Sequence, residues 1–551
     1  MNRSISLTSL LGSLLLATSA LGACASDAGP DQDCEDGKCD GYSELKLCAA
    51  VRGNGQLIGA HFASLARIVE HYGPIDGASG GSSASITIFL TDSMQSNPAI
   101  TNCKGATCDE SEQSARIGLL LKSFPGYLQH LTTTEEAAAL GQLAPFVTRV
   151  QSEGIGSLLD ENADEGVAAL LNLLEQDDLK DLINPEVLGL LRDSPNPEMH
   201  ARDILEGVQK LGAFAADTDR IFIRPGVLNF EAVSDKFGRV ADFYSGNGPA
   251  DTASMTNFME SCATPGLGKG WFEVAALPAG AGTCGELLDS MIGDYREALA
   301  ANPGSFKSRL DENVGGNMRA LISTSVLSGS TAESFKQARA DYTAAQEYTF
   351  TPKFDEVSFG YWGQNSDLET LSRNENGYDD LKTAKFTSLG ETTWRTALSY
   401  SPAEPGLARG LELPDGRVST GGWSDLHPVL ALRNLGCEQV VYVTRTGDES
   451  GFATGVAELL GMSADQSNEL YDLDSDSSFA LSLHETDATW CTNWNEQSGT
   501  DLVGISADSY NAPMESTSQF FTEGASTYPN LSAATDKRGC TPGAANPAQS
   551  N

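Results

Sequence analysis

Apolar runs bounded by glycine turns mark both halves of the chain, and helical spacing fills much of its middle. Leu45 to Val51, "LKLCAAV", reads as a buried strand, because a strand covered on both faces needs no polar alternation. The turn Arg52-Gly53-Asn54-Gly55 follows. Ile58 to His71, "IGAHFASLARIVEH", then places Phe62, Leu65, Ala66 and Val69 on one helical face. A short strand or turn leads to Ser79, and Ser82 to Leu90 starts a second helix. Strand, glycine loop, helix, strand, serine turn, helix is a βαβ unit, which implies a parallel sheet with a right-handed crossover. Glu110 to Ala215 is helical by spacing, with Val167, Leu170, Leu171, Leu174 and Leu179 near one stripe that reads as core packing; a lid over a site is the sharper alternative. Ile221 to Ser305 is rich in glycine and proline and reads as irregular. Met318 to Leu327, "MRALISTSVL", and Gln439 to Arg445, "QVVYVTR", read as later strands. The pattern predicts an α/β fold: a parallel sheet flanked by helices, with a large, mainly helical insertion.

The first residues change the picture of where this sheet works. Arg3 supplies a short positive region, Ile5 to Ala20 is largely apolar, and Leu21-Gly22-Ala23-Cys24 puts small residues before a cysteine. That arrangement resembles a bacterial lipoprotein signal, in which Cys24 becomes the lipid-bearing N-terminus; plain cleavage near Ala23 is the alternative. Both export the chain. The expected organisation is a signal peptide over 1–23, an acidic tether over 24–43, and the first half of the core over 44–109. An insertion over 110–317, the second half of the core over 318–530 and a mobile tail over 531–551 complete it. The expected location is membrane-anchored, on the periplasmic or cell-surface side.

Composition narrows the partners. The net charge of -40 excludes nucleic acid as a natural partner, since phosphate binding needs a concentrated basic surface. Of eleven cysteines, ten remain without Cys24, an even number that suits disulfides in an oxidising compartment. Cys34/Cys39 and Cys103/Cys108 are close pairs, Cys262/Cys284 bracket a glycine-rich stretch, and Cys491 and Cys540 fall near the C-terminus. Cys48 and Cys437 lie beside predicted core strands and read equally well as buried thiols. No cysteine spacing suggests zinc. Asp472, Asp474 and Asp476 alternate but lack the glycine and glutamate of a calcium loop.

The chemistry concentrates in Gly73 to Ser85, "GPIDGASGGSSAS". Gly77-Ala78-Ser79-Gly80-Gly81 fits G-x-S-x-G, the pattern of a serine exposed on a tight strand-to-helix turn. A serine hydroxyl needs a base to take its proton and donors to hold the oxyanion. The glycine turn one βα unit earlier offers such donors.

"GNGQLIGAHFASLARIVEHYGPIDGASGG" resembles the opening of patatin-like phospholipases: a glycine-rich oxyanion loop, a helix, then G-x-S-x-G. Leu57 stands where that family has a basic residue and Ile58 where it has glycine. The second half of the resemblance runs from Ala397 to Arg445, where Pro405-Gly406 matches a turn, Gly421-Gly422 a glycine pair and Pro428 the start of a helix. Together the two parts cover roughly Leu45 to Asp92 and Trp394 to Arg445.

The resemblance implies a serine acyl hydrolase of the phospholipase or lipid esterase type. Its nucleophile would be Ser79, with an oxyanion hole from Gly53, Asn54, Gly55 and Gly80. It implies a lipid or acyl-ester substrate and no metal or organic cofactor. The chain departs from the family at Thr420, where the catalytic aspartate precedes the glycine pair. Asp425 is then the leading candidate for the base, with Asp415 and His427 as substitutes. The order Ser79, Asp425, His484 also matches a Ser-acid-His triad, although so early a nucleophile favours the patatin-like arrangement. The alternative function is a surface lipoprotein that binds lipid or a partner without cleaving it.

Overall fold

The computed structural model describes residues 45–53, 58–103, 106–107, 109–131, 163–175, 180–211, 223–246, 307–373, 386–403, 411–422, 428–446, 488–493, 514–516 and 532–533. Its strands are β1 (Leu47–Val51), β2 (Gly77–Gly81), a small pair β3 (Asn102–Cys103) and β4 (Ala106–Thr107), β5 (Arg319–Leu327), β6 (Val357–Trp362), β7 (Phe386–Gly390), β8 (Leu411–Glu412), β9 (Val418–Ser419), β10 (Gln439–Thr446), β11 (Ala488–Asn493), β12 (Met514–Ser516) and β13 (Ser532–Ala533). Eleven of them form one mixed, mostly parallel sheet in the order β13-β12-β11-β10-β1-β2-β5-β6-β7, with β9 on β5 and β8 on β9. The expected α/β class is therefore the observed one. The chain leaves β1 for β2 on one side and returns to β10 on the other only after the whole middle of the sequence. Clefts at the carboxyl ends of strands near such a reversal are where open α/β sheets bind ligands.

Helices cover both faces: α1 (Ile58–Tyr72), α2 (Ser83–Gln95), the one-turn α3 (Pro98–Thr101), α4 (Glu110–Leu131), α5 (Ala163–Leu174), α6 (Pro185–Asp193), α7 (Pro197–Leu211), α8 (Phe230–Tyr244), α9 (Gly329–Thr343), α10 (Asn365–Arg373), α11 (Trp394–Tyr400) and α12 (Pro428–Asn434). The alternation along β1 explains the layering. Leu47, Ala49 and Val51 face one core with Phe62 and Val69 of α1, Phe89 of α2, Phe124 of α4 and Trp394 of α11. Cys48 and Ala50 face the other with Val429 to Leu432 of α12, Phe335 of α9 and Tyr442 of β10. A third, smaller cluster joins Val167, Leu170 and Leu174 to Val187, Leu191 and Ile204 of α6 and α7, so the predicted stripe is a packing stripe. Leu179 lies outside the described residues.

Two features differ from expectation. Phe230–Tyr244, within the stretch that reads as irregular, is a regular helix burying Val233, Phe237, Ala241 and Tyr244. Asn229 caps it through the Ala232 N–H. Cys48 and Cys437 are bonded to each other rather than free thiols. Gly77 makes room for that bond: a Cβ there would stand 3.1 Å from Cys48 Sγ and 3.8 Å from Cys437 Sγ.

A buried ionic network ties α2 to the segment entering β5. Arg309 pairs with Asp92, and both are almost fully enclosed. Asp92 also accepts the Met318 N–H at 2.8 Å. On the other side of Arg309, its N–H donates to Asp242 at 2.6 Å. Burial pushes the Asp242 carboxyl up to about 6, against the lowering pull of the Arg309 amide. Between about pH 4 and pH 6 the folded chain therefore holds a proton that the unfolded chain has released. This contribution to stability is complete below about pH 4 and is lost as pH rises through 6. Asp242→Asn removes the titration but keeps an acceptor for Arg309. The stability of the parent chain relative to this variant should fall by about 2–3 kcal/mol from pH 4 to pH 7. Denaturant midpoints of both proteins across that range measure it, and a pH-independent difference would discard the assignment.

Candidate active site

The sharp turn at the end of β2 falls at Ser82, not at Ser79. Ser79 lies in the middle of β2, opposite Ala50 of β1 and Leu321 of β5. It is completely buried, and its Oγ has no hydrogen-bond partner. Gly80 is also a strand residue, opposite Ile322. Its missing side chain admits the Val51 carbonyl and Ala84, whose Cβ would lie 2.9 Å from a Cβ at Gly80. Neither residue occupies the turn that G-x-S-x-G requires.

Ser82 does. It is the junction between β2 and α2, with φ 57° and ψ -133°. Among the described residues, only Ser82 and Ala345 combine a side chain with positive φ. Such a conformation costs about 1–3 kcal/mol and persists only where neighbours enforce it. Here they do. Gly53, at the end of β1, packs so closely that a Cβ on it would stand 2.9 Å from Ser82 Cβ and 3.4 Å from Ser82 Oγ. Gly81 faces Gly422, whose carbonyl oxygen would lie 2.9 Å from a Cβ at Gly81. A side chain at Gly422 would collide with the Ser82 amide nitrogen. Three glycines from three distant segments thus leave space for one serine.

The path that brings Gly422 there is a strip of backbone on β5. Val418 and Ser419 pair antiparallel with Leu327 and Val326. The strip continues as Thr420 N–H donates to the Ser325 carbonyl at 2.9 Å and Ser325 N–H to the Gly421 carbonyl at 2.7 Å. Thr420, at the position expected for a catalytic aspartate, is buried, and its hydroxyl also points to the Ser325 carbonyl, at 3.5 Å. Gly421 has φ 86°, which a residue with a side chain would resist.

Ser401, just past α11, closes the arrangement. Its Oγ accepts the Ser82 N–H at 2.9 Å and donates to the Ser323 carbonyl at 2.7 Å. Its own carbonyl accepts the Gly422 N–H at 2.6 Å. The Ser82 carbonyl accepts from the Ser85 N–H at 3.0 Å and the Ser85 hydroxyl at 2.6 Å, which starts α2. The N-terminal end of α2, with its partial positive charge, therefore begins at this turn.

Of the expected site residues, Gly53 stands beside the elbow, while Ser79 and Gly80 sit in the strand below it. Asn54, Gly55, Asp425, His427 and His484 lie outside the described residues. Asp415 sits in the turn between β8 and β9. Its carboxylate holds the Arg417 N–H at 3.1 Å and the Arg417 Nε at 2.7 Å, and this pairing lowers its pKa. A carboxylate so engaged is a weaker base. The signal for Ser82 was present in the run itself. Gly80-Gly81-Ser82-Ser83-Ala84 repeats the spacing of the motif three residues later, with alanine closing it, and it directly precedes the predicted helix.

Fold and site together define an α/β protein with a strained serine at the carboxyl end of a central parallel strand, walled by glycines. No protein-family model, curated protein or solved structure matches the chain.

Proposed function

We propose that this chain is a serine acyl hydrolase, with Ser82 as its nucleophile and a lipid or other acyl ester as its substrate. The observation that carries the reading is the Ser82 backbone: a strained strand-to-helix elbow with Gly53 against its side chain. The patatin-like resemblance supports the same reading once its serine is moved from Ser79 to Ser82. Ser82 Oγ would attack the acyl carbonyl carbon while a base takes its proton. The oxyanion would be held by the Ser83 N–H and by amides of the Gly53 loop. Collapse would break the ester bond and return the proton to the leaving alcohol. Water would then attack the acyl-enzyme, releasing the carboxylic acid and restoring the serine.

Asp425 is the proposed base. It follows Gly422, a residue packed against the elbow, by three positions in the sequence. Export and lipid anchoring at Cys24 are part of the proposal. The Cys48–Cys437 disulfide supports export, since such bonds persist mainly in oxidising compartments. One observation favours the second reading, a lipid-binding protein without turnover: Thr420 offers a hydroxyl, already directed at Ser325, where the family places its carboxylate.

The test is labelling by a fluorophosphonate, with the modified peptide mapped, alongside turnover of a short-chain acyl ester. We expect the label on Ser82 and a loss of about 100-fold or more in kcat for Asp425→Asn. A folded protein that neither labels nor turns over discards the hydrolase in favour of the binding reading. Full activity in Asp425→Asn keeps the enzyme and moves the base elsewhere.

A further inference from the structure

We infer that Ser401 is a positioning residue of the Ser82 site: its hydroxyl locks the strained elbow to β5, and its carbonyl locks the glycine pair against that elbow. The inference rests on the hydrolase reading of Ser82 for its catalytic consequence, but not for its geometry. The β2 ladder ends where Gly81 pairs with Ser323. The next amide, that of Ser82, is turned out of the ladder by its positive φ and is buried. A buried N–H must find an acceptor. Ser401 Oγ provides it at 2.9 Å.

The direction of every proton in this clamp follows from the groups involved. The Ser82 amide can only donate, and the Ser323 carbonyl can only accept. The Ser401 hydroxyl must therefore point its hydrogen at Ser323 and present a lone pair to Ser82. The same residue accepts the Gly422 N–H through its carbonyl at 2.6 Å. One fully buried residue, 319 positions from the elbow, thus joins the strand that carries Ser82, the strand beside it and the glycine wall in front of it.

Its loss should act on the orientation of the nucleophile more than on substrate binding. Displacing a reacting group by about 1 Å costs up to about 100-fold in rate. With the full exported chain, Ser401→Ala should lower kcat and the fluorophosphonate labelling rate together by about 10- to 100-fold, with KM within about 2-fold of the parent. Hydrogen exchange in the peptide containing Ser82 should speed up, without a matching rise in peptides of α9 or α10. Ser401→Thr keeps the Oγ and should restore exchange protection and most of the rate. Unchanged kcat and unchanged exchange in Ser401→Ala overturn the assignment. So does a uniform rise in exchange across the sheet, which would make Ser401 a general packing residue. If the parent chain takes no label, the hydrolase reading fails by itself. Exchange confined to the Ser82 peptide would still support the clamp, and its absence would overturn it.

Discussion

Ser82→Ala should abolish labelling and lower ester turnover by about three to six orders of magnitude, while Ser79→Ala should leave both unchanged. The two serines are three residues apart in a run of small residues, yet their surroundings differ in kind. Ser82 sits on the elbow with its Oγ beside Gly53, and its position is enforced from three sides. Ser79 points into the core among Ala50, Leu321 and the residues of α12, with no partner for its hydroxyl. A buried hydroxyl without a hydrogen bond costs about 1–3 kcal/mol, so removing it should raise stability by about 1 kcal/mol. The pair of variants therefore separates the serine on the elbow from the serine within the strand by opposite signatures. Ser82→Ala loses activity and relieves backbone strain little, because alanine also resists positive φ. Ser79→Ala keeps activity and melts slightly later. A dead Ser79→Ala protein that is as stable as the parent would return the nucleophile to Ser79 and sink the elbow assignment.

The difference between these serines shows which parts of the molecule the sequence could reveal. β1, β5, β10 and α1 were legible within a residue or two, because buried parallel strands read as continuous apolar runs and covered helices keep their spacing. β2 was not. "GASGG" carries no hydrophobic signal, and it is a strand only because β1 and β5 pair with both of its edges. A strand defined by its neighbours hides its own end, and the G-x-S-x-G pattern therefore points three residues short of the turn. α8 was hidden by the glycines and prolines around it, although its apolar spacing is regular. The glycine pair at 421–422 was legible as a motif, and the structure brings it to the serine through a strip of β5 backbone. Ser401 had no signal at all, since a single serine 319 residues away acts through a contact that only the fold creates.

The same distance in sequence gives the second large effect. Breaking the Cys48–Cys437 bond should destabilise the fold by about 3–5 kcal/mol. The bond joins β1 to the residue two before β10 across 389 residues, with both cysteines buried. Restricting so long a loop in the unfolded chain gives a limiting gain of about 6 kcal/mol by loop entropy, and measured disulfides usually return less. The sulfur atoms also fill the space over Gly77, so their loss leaves a gap against the strand that ends in the elbow. Cys48→Ala with Cys437→Ala should therefore lower the denaturant midpoint markedly and blunt the reactivity of Ser82 before global unfolding. Reductant should act slowly on the native chain, because the bond is enclosed, and quickly once it opens. Reductant should then have little further effect on the double variant, and any remainder reports other cysteine pairs. A midpoint unmoved by the double substitution would mean that the β1–β10 ladder holds this join without help. A large shift would mean that the sheet carrying the site depends on oxidation, which suits the proposed export.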